Sequence, residues 1–205
     1  GSLSDIGCFS FYANKILTTG EGGMCTTNSK DLSDRMKKLR NHAFELPRFI
    51  HNEVGYNYRI TNLQAAIGYA QVENAQMLVE ARRNVGLRYN KLLAGLEELI
   101  LPVEKPYAKN VYWMYGVVLS DKAKITKDET MQRLKAAGVD TRSFFIPMHK
   151  QPVYMNKTVE NAPDCSGSYP EAERIGERGF YLPSSSNLTD AEAEFVCKKL
   201  EEILK

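Results

Sequence analysis

The chain has 205 residues, 43% of them hydrophobic and 25% charged, with a formal net charge of +2. That length supports one substantial core or two small ones. The near-balanced charge argues against nucleic acid or an anionic membrane surface as a partner, and no apolar run is long enough to span a bilayer.

In chain order, "IGCFSFY" at 6–12 is rich in β-branched and aromatic residues and predicts a buried strand. "GEGGMCTTN" follows as a turn and a short second strand. "SKDLSDRMKKLRNHAF" predicts a helix capped by Ser29, with Leu32, Met36 and Leu39 at helical spacing. "ELPRFIHNEVGYNYRI" reads as an ordered loop, after which Thr61 or Asn62 caps the Ala-rich helix "NLQAAIGYAQVENAQ". The small residues Ala65, Ala66, Gly68 and Ala70 predict close helix contact, in a core or at a subunit interface. A second helix, "AQMLVEARRNVGLRYNKLLAGLEEL", follows almost without a break.

The pattern changes near residue 99. "LILPV" and "VYWMYGVVLS" predict strands, "TKDETMQRLKAAGVD" a helix ended by Gly138, and "DTRSFFIP" another strand. A loop is expected over 147–170, and a last helix, "TDAEAEFVCKKLEEIL", is capped by Thr189 with acidic residues in its first turn. The second half thus reads as a β–α–β–α unit. The four cysteines lie far apart without C-x-x-C, and the three histidines do not cluster with them. No metal site is expected, and free thiols in a reducing cytoplasm are the simpler reading.

The chemistry-bearing stretch is "CFSFYANKILTTGEGGM", where an apolar strand ends near Lys15 and glycines follow. A nucleotide P-loop places its glycines before the lysine, so that reading fails. Two remain: a solvated strand-end lysine, and a partly desolvated amine that condenses with a carbonyl cofactor.

"FSFYANKILTTGEGGM" resembles the signature of the DegT/DnrJ/EryC1/StrS sugar aminotransferases, which use pyridoxal 5'-phosphate. "LRNHAF", "VGYNYRITNLQAAIGYAQVE", "DTRSFFIPMHKQPVY" and "YPEAERIGERGFYLPSSSNLTDAEAEFV" resemble further blocks of that family, in the same order. The resemblance implies an α/β protein of PLP fold type I. Residues 1–78 would be the C-terminal part of the large cofactor domain, and 79–205 the small α/β domain.

It also implies roles. Lys15 is the lysine that bonds to the cofactor aldehyde and moves protons. Ser10 binds the cofactor phosphate, and Asn57 reaches the phosphate of the cofactor in the neighbouring subunit, which requires a homodimer with shared sites. Arg59 either forks the carboxylate of the amino donor or makes a surface ion pair. His149 either faces the sugar nucleotide or holds a structural bond. Tyr12 and Tyr56 either line the pocket or belong to a core. The implied reaction carries an amino group from glutamate, leaving 2-oxoglutarate, to a nucleotide-linked keto sugar. Family members that dehydrate the sugar instead carry histidine at the lysine position, so Lys15 speaks for amino transfer. The family's chains are longer, and the acid for the pyridine nitrogen, the stacking aromatic and a glycine-rich phosphate turn are expected upstream of Gly1. A cofactor-free dimerisation module derived from an aminotransferase is the alternative.

Overall fold

The structure is a computed structural model describing residues 1–156 and 160–205. It divides into two compact units, Gly1–Leu78 and Val79–Lys205.

The first unit opens with a hairpin. β1 (Gly7–Ser10) pairs antiparallel with β2 (Gly23–Thr26), with Cys8 opposite Cys25 and Ser10 opposite Gly23. The strand predicted over 6–12 therefore ends at Ser10, because residues beyond it enter the turn that carries Lys15. Helix α1 (Lys30–Arg40) begins where the Ser29 hydroxyl accepts the Leu32 N–H. Helix α2 (Asn62–Glu73) begins at Thr61, not Asn62, through a capping box: Thr61 Oγ1 accepts the Gln64 N–H, and the Gln64 side chain accepts the Thr61 N–H.

α2 buries no residue. Of its small residues, Gly68 comes close to the lysine turn rather than to another helix: a Cβ there would lie 2.8 Å from Thr19 Cγ2. Ala65, Ala66 and Ala70 are exposed. Helix α3 (Ala75–Leu93) follows after a one-residue break at Asn74, and the division between the units falls within it.

The second unit holds the core. β3 (Leu99–Ile100), β4 (Tyr115–Leu119), β5 (Arg142–Ser143) and β6 (Gly179–Leu182) form an antiparallel sheet in the order β3-β4-β6-β5. Helix α4 (Lys127–Ala136) starts at Thr126 and stops at Gly138. There φ is +84°, the Gly138 N–H reaches Lys135 O, and the Val139 N–H reaches Leu134 O. These two bonds satisfy the last carbonyls of the helix in a Schellman arrangement, which needs the left-handed residue glycine supplies.

The expected loop over 147–170 contains a 3-10 turn, Met148–Lys150, and a short helix α5 (Pro152–Met155); Lys157, Thr158 and Val159 lie outside the described residues. Helix α6 (Pro170–Arg178) leads directly into β6, and α7 (Asp190–Leu204) closes the chain on the Thr189–Glu192 capping box. The β–α–β–α reading thus missed α6 and β6.

Tyr89 and Leu93 of α3, Tyr115, Val117 and Leu119 of β4, Leu134 of α4, Phe180 of β6 and Leu200 of α7 are all buried in one cluster. On the sheet, Gly116 and Gly179 leave room for the Phe144 ring: a Cβ on either would sit within 2.4 Å of it. Phe144 in turn lies against Tyr181, with ring centroids 4.3 Å apart.

Candidate active site

Lys15 sits in the turn between β1 and β2, and the turn is closed by its own backbone. The Phe11 N–H donates to Gly22 O, the Thr19 N–H to Phe11 O and the Lys15 N–H to Tyr12 O, each at 2.9 Å. Threonine hydroxyls add local bonds of the kind that favour turns. Thr18 Oγ1 donates to Phe11 O at 3.1 Å and accepts the Gly20 N–H at 2.9 Å. Thr19, which is buried, donates to Glu21 O at 2.6 Å.

Two glutamines of α2 pin the turn from outside. Gln71 Oε1 accepts the Thr18 N–H at 3.3 Å, and Gln64 Nε2 donates to Glu21 O at 3.2 Å. Gln64 thus serves both the α2 cap and the turn. The result holds Lys15 half-buried at a fixed point of the backbone.

Ser10 closes β1 on the same hairpin. Its Oγ accepts the Tyr12 N–H at 3.4 Å, and Tyr12 O accepts the Lys15 N–H at 2.9 Å, so Tyr12 links the two residues. Tyr12 itself is exposed.

Asn57 lies on a separate element. The chain leaves α1 through His42 and Ala43, both with positive φ, and returns as a strap over the end of the helix. The Tyr56 N–H reaches Leu39 O at 2.7 Å and the Tyr58 N–H reaches Arg40 O at 2.9 Å. The helix-end carbonyls, which have no partner within α1, are satisfied by this strap. Asn57 bridges Asn41 and faces outward, exposed, as does Arg59. Gly55 allows the close pass: a Cβ there would fall 2.2 Å from the Ala43 nitrogen. Lys38 pairs with Glu45 and Glu53, and Arg35 with Glu53, fixing the loop to the exposed side of α1. The carboxyls of both glutamates are held below their ordinary range by these hydrogen bonds from the cations.

His149 belongs to the second unit. Its Nε2 donates to Glu173 Oε1 at 3.0 Å, and its ring lies 4.7 Å from that of Tyr169. Glu173 also accepts from Lys150 Nζ at 2.8 Å and from the Tyr169 N–H at 3.3 Å. The Lys150 bond first, then the His149 and Tyr169 bonds, bring the Glu173 carboxyl down to about 2. The His149–Glu173 bond is a contact within the second unit. Sequence reasoning missed Glu173, although its carboxylate on the first turn of α6, after a loop bearing His149 and Lys150, was a signal. Thr18, Thr19, Gln64 and Gln71 were missed as positioning residues; the capping pattern at Thr61–Gln64 was legible, but its second contact was not.

The donor set on the hairpin suits a phosphorylated aldehyde. Lys15 offers an amine. Ser10 Oγ, among the described residues, only accepts a bond, which leaves its hydroxyl proton for a phosphate oxygen. Among the described residues no group of His, Cys, Asp or Glu is arranged to hold a metal ion, and no helix is long and apolar enough to cross a membrane.

The chain is 39% identical over its whole length to the GDP-perosamine synthase of Caulobacter vibrioides, and 34% identical over 96% of its length to that of Vibrio cholerae. It spans about half of each, 54% and 52%. Among solved structures, the aminotransferase TlmJ from Streptoalloteichus hindustanus superposes with a TM-score of 0.85 at 29% identity, covering 100% of this chain and 53% of that one. The sequence profile of the DegT/DnrJ/EryC1/StrS aminotransferase family matches residues 1–201, and the chain belongs to that family.

Proposed function

We propose that this chain carries the lysine side of a pyridoxal-phosphate sugar aminotransferase site. The enzyme would move an amino group from glutamate to a nucleotide-linked 4-keto-6-deoxysugar of the perosamine type. The observation that carries the reading is Lys15 itself, half-buried in a turn fixed by Thr18, Thr19, Gln64 and Gln71, in a chain matched by the family profile over residues 1–201. The names of the relatives from Caulobacter vibrioides and Vibrio cholerae support the sugar class.

The cofactor, when bound, supplies the aldehyde that takes up the amino group and the ring that accepts the electron pair of the deprotonated carbon. The chain's own residues supply position and proton transfer. Lys15 Nζ takes the proton from the α-carbon of the amino donor and, in the second half of the cycle, returns a proton to the sugar carbon that becomes aminated. The pinned backbone fixes the point from which the Lys15 side chain reaches the reacting carbons in both halves, which is where orientation contributes to rate. Ser10 holds the phosphate through its hydroxyl. Asn57 serves the phosphate of a second copy's cofactor, and the working form is a homodimer in the cytoplasm. Arg59, which is exposed, takes the carboxylate of the amino donor in this reading. His149 acts on the sugar side through the loop that Glu173 fixes.

The test is spectroscopic. With pyridoxal 5'-phosphate, a chain restored to the full length of its relatives is expected to show an absorbance band near the visible edge that Lys15→Ala abolishes. Glutamate should bleach the band and release 2-oxoglutarate. Identical spectra for wild type and variant at saturating cofactor would remove Lys15 from the site.

One observation favours a second reading for the 205-residue chain taken alone, a cofactor-free association module. Phe9, Met24, Leu63, Ile67 and Val72 of the first unit are all exposed. Size measurement combined with cofactor titration separates the two: a stable dimer that takes up no cofactor supports the module, and uptake at one site per chain refutes it.

A further inference from the structure

Cys8 and Cys25 face each other across the β1–β2 hairpin, 17 residues apart in sequence, with their sulfurs 3.9 Å apart and both side chains exposed. Their place in the ladder follows from the bonds beyond it. The Phe11 N–H donates to Gly22 O, which marks Phe11 and Gly22 as a hydrogen-bonded pair in the continuation of the register. Pairs alternate along an antiparallel ladder, so Phe9–Met24 and Gly7–Thr26 are hydrogen-bonded, while Ser10–Gly23 and Cys8–Cys25 are not. In non-hydrogen-bonded pairs the α-carbons approach to about 4.5 Å, within the span a disulfide tolerates. The sulfurs, 3.9 Å apart, need to close to about 2.05 Å for a bond, and rotation of the two side chains is the motion that brings them together. The other two cysteines have no such arrangement: Cys197 is buried in the core of the second unit, and Cys165 bonds weakly to Pro163 O.

We propose that Cys8 and Cys25 form an oxidisable thiol pair that closes into a cross-strand disulfide when the chain meets a peroxide. In the first step one cysteine gives up its proton and its thiolate attacks hydrogen peroxide; the O–O bond breaks, the sulfur becomes a sulfenic acid, and the released hydroxide takes up the proton and leaves as water. In the second step the facing thiol attacks that sulfur, the S–O bond breaks, the S–S bond forms and a second water leaves. Two thiols are oxidised together by two electrons, and one peroxide is reduced to two waters. The second step is fast because the resolving thiol is already adjacent, which sets a high effective concentration and shields the sulfenic acid from further oxidation. Thioredoxin-type dithiols would reverse the step by exchange. The bond ties β1 to β2 two residues before Ser10, at the open end of the hairpin that presents Lys15. It is a modification site distinct from the proposed transamination chemistry and does not depend on it.

The test uses the reduced 205-residue chain, a limited dose of hydrogen peroxide, alkylation of the remaining thiols, and peptide mass mapping. The expected product is an intramolecular Cys8–Cys25 peptide pair, lighter by two hydrogen atoms, in roughly tenfold excess over every other pairing, with Cys197 still alkylated after unfolding. Cys8→Ser and Cys25→Ser should each accumulate sulfenic or higher acids on the remaining partner, and neither should form the internal link. In denaturant the excess should fall well below that of the folded chain, to the preference that a 17-residue separation alone gives over longer loops. Either full alkylation of both cysteines after peroxide, or cross-links spread equally over Cys165 and Cys197 in the folded chain, would overturn the proposal. Equal selectivity in folded and unfolded chain would overturn it as well, since the hairpin would then have no part in the pairing.

Discussion

Gly22 shows how much of the lysine turn rests on one side chain being absent. Its φ is +149°, and a Cβ there would lie 2.6 Å from Thr19 Oγ1. That oxygen has little freedom, since Thr19 is buried and donates to Glu21 O at 2.6 Å. Gly22→Ala must therefore break this bond or twist the turn, at a cost of about 1–3 kcal/mol. The expected outcome is exchange of the Thr19 amide hydrogen at least roughly fivefold faster than in wild type. Gly20 is the control: its φ is +77° but a Cβ would meet nothing within 4 Å, so Gly20→Ala should carry only the backbone penalty of about 1 kcal/mol. Equal effects of the two substitutions would show that contact with Thr19 does not matter. At this scale the sequence was informative about identity but not about support. Glycines after a strand-end lysine advertised a special backbone, and the family blocks pointed to Lys15. The amides of Gln64 and Gln71 reach the turn from 43 and 53 residues away, and no local pattern encodes such contacts.

At the scale of elements, Glu173 binds the 147–169 segment to α6 through Lys150, His149 and the Tyr169 N–H. Its carboxyl sits at about 2, against an ordinary value of 4.5. A depressed folded-state pKa means the stabilisation is fully present above the ordinary value and is lost as pH falls toward the folded value. Thermal midpoints of wild type and Glu173→Gln should therefore differ by a constant amount from neutral pH down to about 5, then converge between 4.5 and 2. A difference independent of pH across that window would mean that the charge of Glu173 plays no part. The elements that sequence reading placed well are those with local signals. Ser29, Thr126 and Thr189 each accept an amide three residues on, and Gly138 ends α4 with the positive φ its position demands. Of the elements it missed, α6 has no side-chain cap at Tyr169 but does carry Pro170 at its start and Glu171 and Glu173 in its first turn, signals that were overlooked, while β6 begins at Gly179 directly at the helix end. Gly179 is there because Phe144 needs the space, a requirement of packing between distant segments.

At the scale of the whole chain the two units differ in how they are built. Apart from Val118, the buried hydrophobic residues described in Val79–Lys205 belong to one cluster, with Tyr89, Tyr115, Phe180 and Leu134 completely inaccessible. In Gly1–Leu78 the buried hydrophobic set among the described residues is Ala43 alone, while Phe9, Met24, Leu63, Ile67 and Tyr69 are exposed. Hydrogen bonds and turn chemistry define the first unit, yet such bonds contribute only about 1 kcal/mol each when water competes for them. Burial of apolar surface is the larger source of stability, at about 25 cal/mol per Å², and it is concentrated in the second unit. The amides of β4 and β6 are therefore expected to exchange at the limit set by global unfolding, and those of β1 and β2 at least roughly 100-fold faster. Raising the chain concentration should slow the exchange of β1, β2 and α2 selectively, if a second copy covers the exposed face of Leu63, Ile67 and Val72. Uniform protection of both units in dilute solution would refute the asymmetry. Protection of the first unit that rises with concentration and saturates would identify association as the source of the burial that its own residues do not provide.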